Sequence, residues 1–281
     1  MPAYPQPVPT STSSPPALRV EDLHKSFNDK PVLTGVSFQL LRGEILAIVG
    51  GSGCGKTVLL NHIIGHLKPD SGRILVADHS QQDAPLVDIN AIDEDHLDRL
   101  RTHWAVVFQR NALFSGSVYD NIALWLREHL QMPEPRIRER ARAALDAVGF
   151  KGDDSILKKD RDELSGGMAK RVAVARALAM DPVMLFYDEP TAGLDPAHAK
   201  QIHKLICDTH AAPRTDDKTQ TTLIITHDKD LLRRLSPRIL MLHEGRVYFD
   251  GSYEHFEESD SPIIRPYFEL MAALNLREPA H

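Results

Sequence analysis

Residues 50–57 read Gly50-Gly51-Ser52-Gly53-Cys54-Gly55-Lys56-Thr57, and this glycine-rich stretch decides the fold. The residues before it, 44–49, predict a short buried strand, and residues 56–64 after it predict a helix. A strand, a glycine-rich loop and a helix in this order predict a phosphate-binding loop, because the loop amides and the helix N-terminus form an anion site. We expect Lys56 to reach the β- and γ-phosphates of a nucleotide and the Thr57 hydroxyl to bind Mg²⁺.

Further predicted strands along the chain end in polar residues. In chain order these residues are Gln109, the adjacent pair Asp188 and Glu189, and His227. Because parallel strands bring their carboxyl ends to one edge of a sheet, we expect these side chains to surround the phosphates. Asp188 would hold Mg²⁺, and Glu189 would orient or deprotonate the attacking water. Gln109 would contact both Mg²⁺ and the water, while His227 would polarise the γ-phosphate.

A second glycine motif, Leu164-Ser165-Gly166-Gly167-Met168, begins another predicted helix. Ser165 and the amides of Gly166 and Gly167 form an anion site at the N-terminus of that helix. One ATP cannot occupy this site and the loop at Gly50 within the same subunit, because that loop has its own helix N-terminus. We therefore expect a head-to-tail dimer in which Ser165 of one copy contacts the γ-phosphate bound by the other.

Taken in this order, the motifs of residues 18–251 resemble those of the ATP-binding subunits of ABC transporters. The resemblance implies an α/β fold, namely a P-loop ABC-type nucleotide-binding domain. Such a domain has a mainly parallel central sheet, an N-terminal antiparallel β region and a small helical subdomain, here at about residues 110–180. The resemblance also implies ATP hydrolysis, with ATP and Mg²⁺ as cofactors, and an integral membrane permease as partner. Phe27 resembles the aromatic residue that stacks on adenine in this family.

Three shorter stretches resemble one branch of the family. Residues 112–121, 126–129 and 164–172 are similar to the ATPase of MCE-type, Mla-like transporters, which move phospholipid between the membranes of double-membraned bacteria and chloroplasts. This resemblance implies an MCE-domain protein in the same complex and a peripheral position at the cytoplasmic face of the inner (plasma) membrane. The chain departs from the usual pattern at Met168, where glutamine is usual, and at residues 116–117.

Two other functions stay open on the sequence alone. The same motifs would serve the ATPase of an amino-acid or other small-solute importer, because only the permease and the cargo would differ. A soluble ABC ATPase outside transport is the second alternative, although such proteins usually carry two motif sets or a long coiled-coil insertion. The sequence predicts neither the cargo, nor the direction of transport, nor the role of residues 208–221.

The composition limits which binding partners and which cellular compartment we expect for this protein. The formal net charge is −6, which gives no reason to expect nucleic-acid binding. The two cysteines, Cys54 and Cys207, make no disulfide framework and are typical of a reducing cytosol. Because no apolar run approaches about 18 residues, we expect no membrane span and therefore a separate permease.

The two ends and one internal segment lead to further predictions. Residues 1–17 are rich in proline and serine and predict a disordered tail. Residues 252–281 form an apolar C-terminal extension that packs either on its own core or on the second copy, where it would support the dimer. Between residues 112 and 125, four side chains either line a groove for a permease helix or belong to the core: Phe114, Val118, Tyr119 and Trp125.

Overall fold

The computed structural model describes residues 14–109, 113–211 and 220–266 of the chain. The strands are β1 (Pro16–Phe27), β2 (Lys30–Leu41), β3 (Ile45–Val49), β4 (Ser71–Ala77), β5 (Leu86–Asp88), β6 (Trp104–Val107), β7 (Met184–Asp188), β8 (Thr221–Ile225), β9 (Arg238–His243) and β10 (Arg246–Ser252). The helices are α1 (Lys56–Ile63), α2 (Glu94–Arg101), α3 (Val118–Glu128), α4 (Glu134–Ala147), α5 (Gly166–Ala179), α6 (Pro196–Ala211), α7 (Lys229–Leu235) and α8 (Tyr253–Glu257). Between α4 and α5 lie the short 3₁₀ helices Asp154–Lys158 and Arg161–Glu163.

The chain divides into two compact units. The first comprises Met1–Ala77, Pro85–Ile92 and Ile225–His281, and the second comprises Asp78–Ala84 and Asp93–Ile224. The phosphate loop therefore belongs to the first unit, whereas the acidic end of β7 and the second glycine motif belong to the second unit.

An antiparallel sheet in the first unit has the strand order β2-β1-β4-β5. Its central strand β1 pairs Val20 with Phe38 of β2 and with Ile74 of β4, and all three side chains are buried. This sheet confirms the predicted N-terminal antiparallel β region.

The first strand begins earlier than the sequence prediction allowed. Pro16 and Ala17, which we assigned to the disordered tail, open β1, and Ala17 is fully buried. Proline is tolerated as the first residue of a strand because it need not donate a ladder hydrogen bond there, so it does not exclude a strand at this point. Residues 1–13, the rest of the predicted tail, lie outside the described residues.

The first unit also contains the neighbouring strands β10, β9 and β3, in that order. Strand β3 runs parallel to β9, with Val49 beside Met241, and β9 forms an antiparallel hairpin with β10. These strands share an apolar cluster with Phe256 of α8 and with Ile264. Residues 252–266 of the C-terminal extension therefore pack on their own unit, while residues 267–281 lie outside the described part.

In the second unit, the neighbouring strands are β8, β7 and β6, in that order. Strand β6 is parallel to β7 and pairs Val107 with Tyr187, and every residue of β7 is buried. Helices α3, α4 and α5 pack against one another and form the predicted helical subdomain. The parallel pairings β3 with β9 and β6 with β7 agree with the predicted mainly parallel sheet.

Candidate active site

The phosphate loop follows directly from the buried strand β3, and its backbone requires glycine at two places. Gly50 and Gly55 have φ angles of +144° and +103°. A Cβ atom on Gly50 would lie 2.3 Å from the carbonyl oxygen of Leu242, and one on Gly55 would lie 2.8 Å from Cδ2 of Leu33. Side chains at these positions would therefore both strain the backbone and collide with the core.

The outer face of the same loop is open. A Cβ atom on Gly51 or Gly53 would meet no atom within 4 Å, so a ligand can approach the backbone closely there. Ser52 and Thr57 are exposed beside these glycines, and helix α1 begins at Lys56 with its N-terminus at the loop. This cradle fits a phosphate group, because backbone N–H groups and a helix N-terminus favour an anion.

The side chain of Lys56 folds back onto the phosphate loop. Its Nζ atom donates hydrogen bonds to the carbonyl oxygens of Gly50 and Gly51, each at 2.9 Å, and lies 3.9 Å from Sγ of Cys54. The ammonium group is thus held at the loop by neutral acceptors, which leave its positive charge available to an anion.

Phe27 and His227 also belong to the first unit. Phe27 ends β1 with 41% of its surface exposed, and the ammonium of Lys25 lies 5.5 Å from the ring centroid. An exposed ring of this kind can stack on a base. His227 is exposed directly after Thr226, whose N–H donates to the carbonyl oxygen of Ile48 in β3 at 3.3 Å. His227 therefore follows a residue that is bonded to the strand leading into the loop.

In the second unit, β7 brings Asp188 to its carboxyl end, where the residue is only 6% exposed. The next residue, Glu189, has a φ of +49°, in the left-handed region that a glutamate seldom adopts. Its carbonyl oxygen accepts a hydrogen bond from the N–H of Ala192 at 3.2 Å. Two carboxylates with different backbone conformations thus lie at the end of one buried strand. Gln109, after β6, is exposed.

Lys170 joins two of these predicted site residues, and the sequence prediction missed it. Its side chain in α5 is buried, and Nζ donates to the carbonyl oxygens of Phe108 and Gln109 at 3.1 Å each and of Glu189 at 3.5 Å. Burial lowers the pKa of the ammonium to about 8, against the opposing effect of the Asp188 and Glu189 carboxylates. The available signal was its spacing: Lys170 lies four and seven residues before Val174 and Ala177, which are also buried.

The second glycine motif forms an exposed helix N-terminus. Ser165 is the N-cap of α5, and its Oγ atom accepts a hydrogen bond from the N–H of Met168 at 3.3 Å. A Cβ atom on Gly166 would meet nothing within 4 Å, whereas one on Gly167 would lie 3.2 Å from the ring of His198. His198 in turn hydrogen-bonds Asp195. The face of Gly166 is therefore open to a ligand, as the prediction requires.

The predicted permease groove is divided between surface and core. Phe114 is 56% exposed, and Leu124, which we did not predict, is 43% exposed. Val118 is buried in the core, Tyr119 donates a hydrogen bond to Glu134 at 2.6 Å, and Trp125 stacks on His129. Of the two alternatives, the core therefore applies to Val118, which lies on the inward face of α3. Residues 110–112 lie outside the described part.

The described residues contain neither a metal-binding cluster nor a membrane-spanning helix. Among the described residues, no three His, Cys, Asp or Glu side chains are grouped so that they could hold a metal ion. Mg²⁺ commonly binds through one or two carboxylates together with phosphate oxygens, so a nucleotide-dependent site needs no such group. No helix in residues 14–109, 113–211 or 220–266 is long and apolar enough to cross a membrane.

The chain is similar to one protein family and to several named proteins. The family model described as ABC transporter matches residues 33–192. The chloroplast protein TRIGALACTOSYLDIACYLGLYCEROL 3 of Arabidopsis thaliana is 36% identical, covering 89% of this chain and 72% of that protein. The probable ribonucleotide transport ATP-binding protein mkl of Mycobacterium leprae is also 36% identical, covering 89% and 68%. The intermembrane phospholipid transport system ATP-binding protein MlaF of Escherichia coli is 32% identical, covering 90% and 88%.

Solved structures resemble this fold over most of its length. CbiO1 of Clostridium perfringens, part of the ABC transporter complex cbiONQ, superimposes with a TM-score of 0.72 at 34% identity, covering 94% of this chain and 96% of that one. The ATP-binding cassette MJ0796, a dimer bound to ADP and Pi, gives 0.70 at 27% identity, covering 84% and 98%. Because the family model matches more than half of the chain and the relatives align over most of it, the chain belongs to the ABC transporter family as an ATP-binding, ATP-hydrolysing domain.

Proposed function

We propose that this chain is the ATPase of a transporter that moves phospholipid or another lipid between membranes of the bacterial envelope. The chain is an ABC ATPase, and one observation carries the lipid assignment: 32% identity to MlaF over 90% of this chain and 88% of that protein. MlaF is described as part of an intermembrane phospholipid transport system. Because the similarity spans nearly all of both chains, it does not rest on the phosphate loop that all ABC ATPases share.

In the proposed reaction, the loop of residues 50–57 binds the phosphates of ATP through its amides. Lys56 stabilises the negative charge that develops on the γ-phosphate. Glu189 orients the attacking water and accepts its proton, and His227 polarises the γ-phosphate. The open faces of Gly51 and Gly53 and the charge held by Lys56 support the phosphate-binding part of this proposal.

Mg²⁺ would supply additional positive charge to the phosphate oxygens. We assign it the Thr57 hydroxyl, the Gln109 amide and the Asp188 carboxylate. These are oxygen donors, the type that Mg²⁺ prefers. Asp188 is almost buried at the end of a rigid strand, which suits a ligand that must keep its orientation.

Two copies act together in this proposal. Ser165, Gly166 and Gly167 lie at an exposed helix N-terminus, and the face of Gly166 is open. In a head-to-tail homodimer, this N-terminus contacts the γ-phosphate of the ATP held by the other copy. The related cassette MJ0796 is a dimer, which supports a dimer here.

The partners in the membrane complete the proposal. Phe114 and Leu124 are exposed apolar side chains near α3, and we assign them to contact with a cytoplasmic helix of the permease. CbiO1 belongs to a transporter complex, which supports a separate permease here. An MCE-domain protein would join the same complex, and the chain would lie at the cytoplasmic face of the inner membrane.

A second cargo class has an observation in its favour. The mkl protein, 36% identical to this chain, is named for probable ribonucleotide transport, which favours a small-solute cargo. A soluble ABC ATPase remains the third alternative.

The deciding experiment is a mild-detergent pull-down of the tagged chain from its native membranes, with mass spectrometry of proteins and lipids. Co-purification of a permease with an MCE-domain protein and phospholipid is the expected result. A permease with a solute-binding protein and no lipid would transfer the function to small-solute import. Recovery of no membrane protein would contradict the transport proposal and leave ATP hydrolysis in place. The Lys56→Ala chain, which should lose ATP binding and turnover, is the control for nucleotide-dependent contacts.

A further inference from the structure

We infer that Lys170 is a positioning residue for hydrolysis, which fixes the main chains of Gln109 and Glu189 so that the attacking water is held correctly. This inference rests on the roles proposed above for Gln109 and Glu189. It concerns contacts within the second unit only, all of them among described residues.

The ammonium of Lys170 contacts main-chain atoms from distant parts of the chain. One ammonium group donates to three carbonyl oxygens that lie 62, 61 and 19 residues away along the chain, those of Phe108, Gln109 and Glu189. The first two acceptors are consecutive, so Lys170 fixes the direction of the chain as it leaves β6. The third acceptor is the main-chain carbonyl oxygen of Glu189, whose carboxylate is the proposed general base. Lys170 thus connects the two main-chain segments whose side chains we assign to the water.

Burying the charge of Lys170 has a cost in free energy. Lys170 is 1% exposed, and the carbonyl oxygens of Phe108, Gln109 and Glu189 that accept its hydrogen bonds are neutral. A buried ammonium loses its hydration, and an apolar side chain of similar size would occupy the same space without that loss. The neighbouring carboxylates of Asp188 and Glu189 compensate part of the charge. A costly side chain at this position is explained if the geometry that it enforces is needed for turnover.

Glu189 has an unusual backbone conformation. Its φ of +49° is unfavourable for a residue with a side chain. Such a conformation persists only where the surroundings determine it, and here the N–H of Ala192 and the ammonium of Lys170 both donate to the Glu189 carbonyl oxygen. Removing one donor frees the main chain to relax and moves the carboxylate.

The inference separates turnover from nucleotide binding. None of the three acceptors lies in the phosphate loop, which belongs to the other unit. Loss of the Lys170 contacts should therefore lower kcat and leave the affinity for ATP and the KM for ATP nearly unchanged.

The test compares Lys170→Met, an unbranched apolar side chain one atom shorter that has no donors, with Lys170→Gln, which keeps neutral N–H donors. We expect Lys170→Met to lower kcat by about tenfold to a hundredfold, the size of effect that a small misplacement of a catalytic group produces. ATP affinity and KM should stay within about twofold, and Lys170→Gln should recover part of kcat. Lys204→Met is the matched control, because Lys204 is an exposed lysine of the same unit that pairs with Asp208.

The inference is overturned if Lys170→Met retains kcat within about twofold, or if kcat and ATP affinity fall together and Lys170→Gln restores neither. If Lys170→Met does not fold, as judged by thermal melting, Lys170→Gln decides by the same criteria. A double variant separates this inference from the proposed role of Glu189. In a Glu189→Gln chain, adding Lys170→Met should cause little further loss, and an undiminished loss would overturn the inference. If Glu189→Gln alone keeps full turnover, the assigned role of Glu189 fails whatever Lys170 does.

Discussion

The phosphate loop and the acidic end of β7 are built on opposite physical principles. The loop binds through main-chain atoms, its essential residues are glycines, and its lysine rests on neighbouring carbonyls of the same short segment. The end of β7 depends on a side chain from another segment, because the buried Lys170 bonds to the main chain of Glu189. Glu189 itself has an unfavourable backbone conformation. Nucleotide binding thus rests on local backbone geometry, whereas the proposed hydrolytic group depends on distant contacts.

The largest expected effect comes from Glu189→Gln, which keeps the shape of the side chain but removes its basicity. We expect kcat to fall by about a hundredfold to ten-thousandfold, the range for loss of a general base. ATP binding should persist and the dimer should accumulate with ATP, because only the end of β7 is altered. Phosphate release, nucleotide binding and size-exclusion chromatography measure these quantities. Glu139→Gln, at an exposed glutamate of α4, is the control, and normal phosphate release from Glu189→Gln would refute the role of Glu189.

Gly50→Ala should damage the other region. The new Cβ would lie 2.3 Å from the backbone oxygen of Leu242, so the loop must shift. We expect a loss of about 1–3 kcal/mol in the free energy of unfolding, as for overpacking elsewhere, together with weaker ATP binding. Gly51→Ala, with no neighbour within 4 Å of the new Cβ, should keep the stability of the wild type. Equal melting temperatures for the two variants would show that the loop does not need glycine at residue 50 for steric reasons.

Asp78 tests whether buried side-chain networks hold the second unit outside the site as well. Burial by itself would raise the pKa of this carboxyl, but hydrogen bonds from Ser80, His96 and Gln81 outweigh it and lower the pKa. A lowered pKa in the folded state stabilises the fold above the unfolded pKa of about 4, and the stabilisation is lost as the pH falls below that value. Asp78→Asn should therefore cost about 1–3 kcal/mol at pH 7.

The difference between wild type and Asp78→Asn should shrink as the pH is lowered from about 5 to about 3. Urea unfolding at several pH values measures it. A difference that is independent of pH would mean that the carboxylate charge does not contribute. Asp162→Asn is the control, because Asp162 is a largely exposed carboxyl in the same unit.

The smallest effect concerns Cys54, which lies within the loop and is partly exposed. Bound ATP should cover the thiol and slow its alkylation several-fold, because the phosphates occupy the open face of the loop. Loss of ATPase activity with time, with and without ATP, measures the protection. A Cys54→Ala chain that the reagent still inactivates would contradict the prediction and direct attention to Cys207.

Local motifs were predictable from the sequence, and contacts between distant segments were not. The strand, loop and helix around Gly50 form as predicted, because each depends on residues within a few positions. The described start of the C-terminal extension turned out to pack on its own unit, a choice that apolar composition alone could not make. We placed the start of β1 too late, because the proline-rich composition of residues 1–17 led us to assign Pro16 and Ala17 to the tail.

The sequence by itself determined that this protein binds and hydrolyses ATP, since phosphate recognition depends on glycines, a lysine and a hydroxyl at fixed spacing in one segment. Only the tertiary structure decided how the proposed general base is held. Lys170 meets acceptors 62, 61 and 19 residues away, and no local pattern specifies such partners. In the folded chain these carbonyl oxygens replace the water that the ammonium loses on burial, because a buried charge needs hydrogen-bond partners.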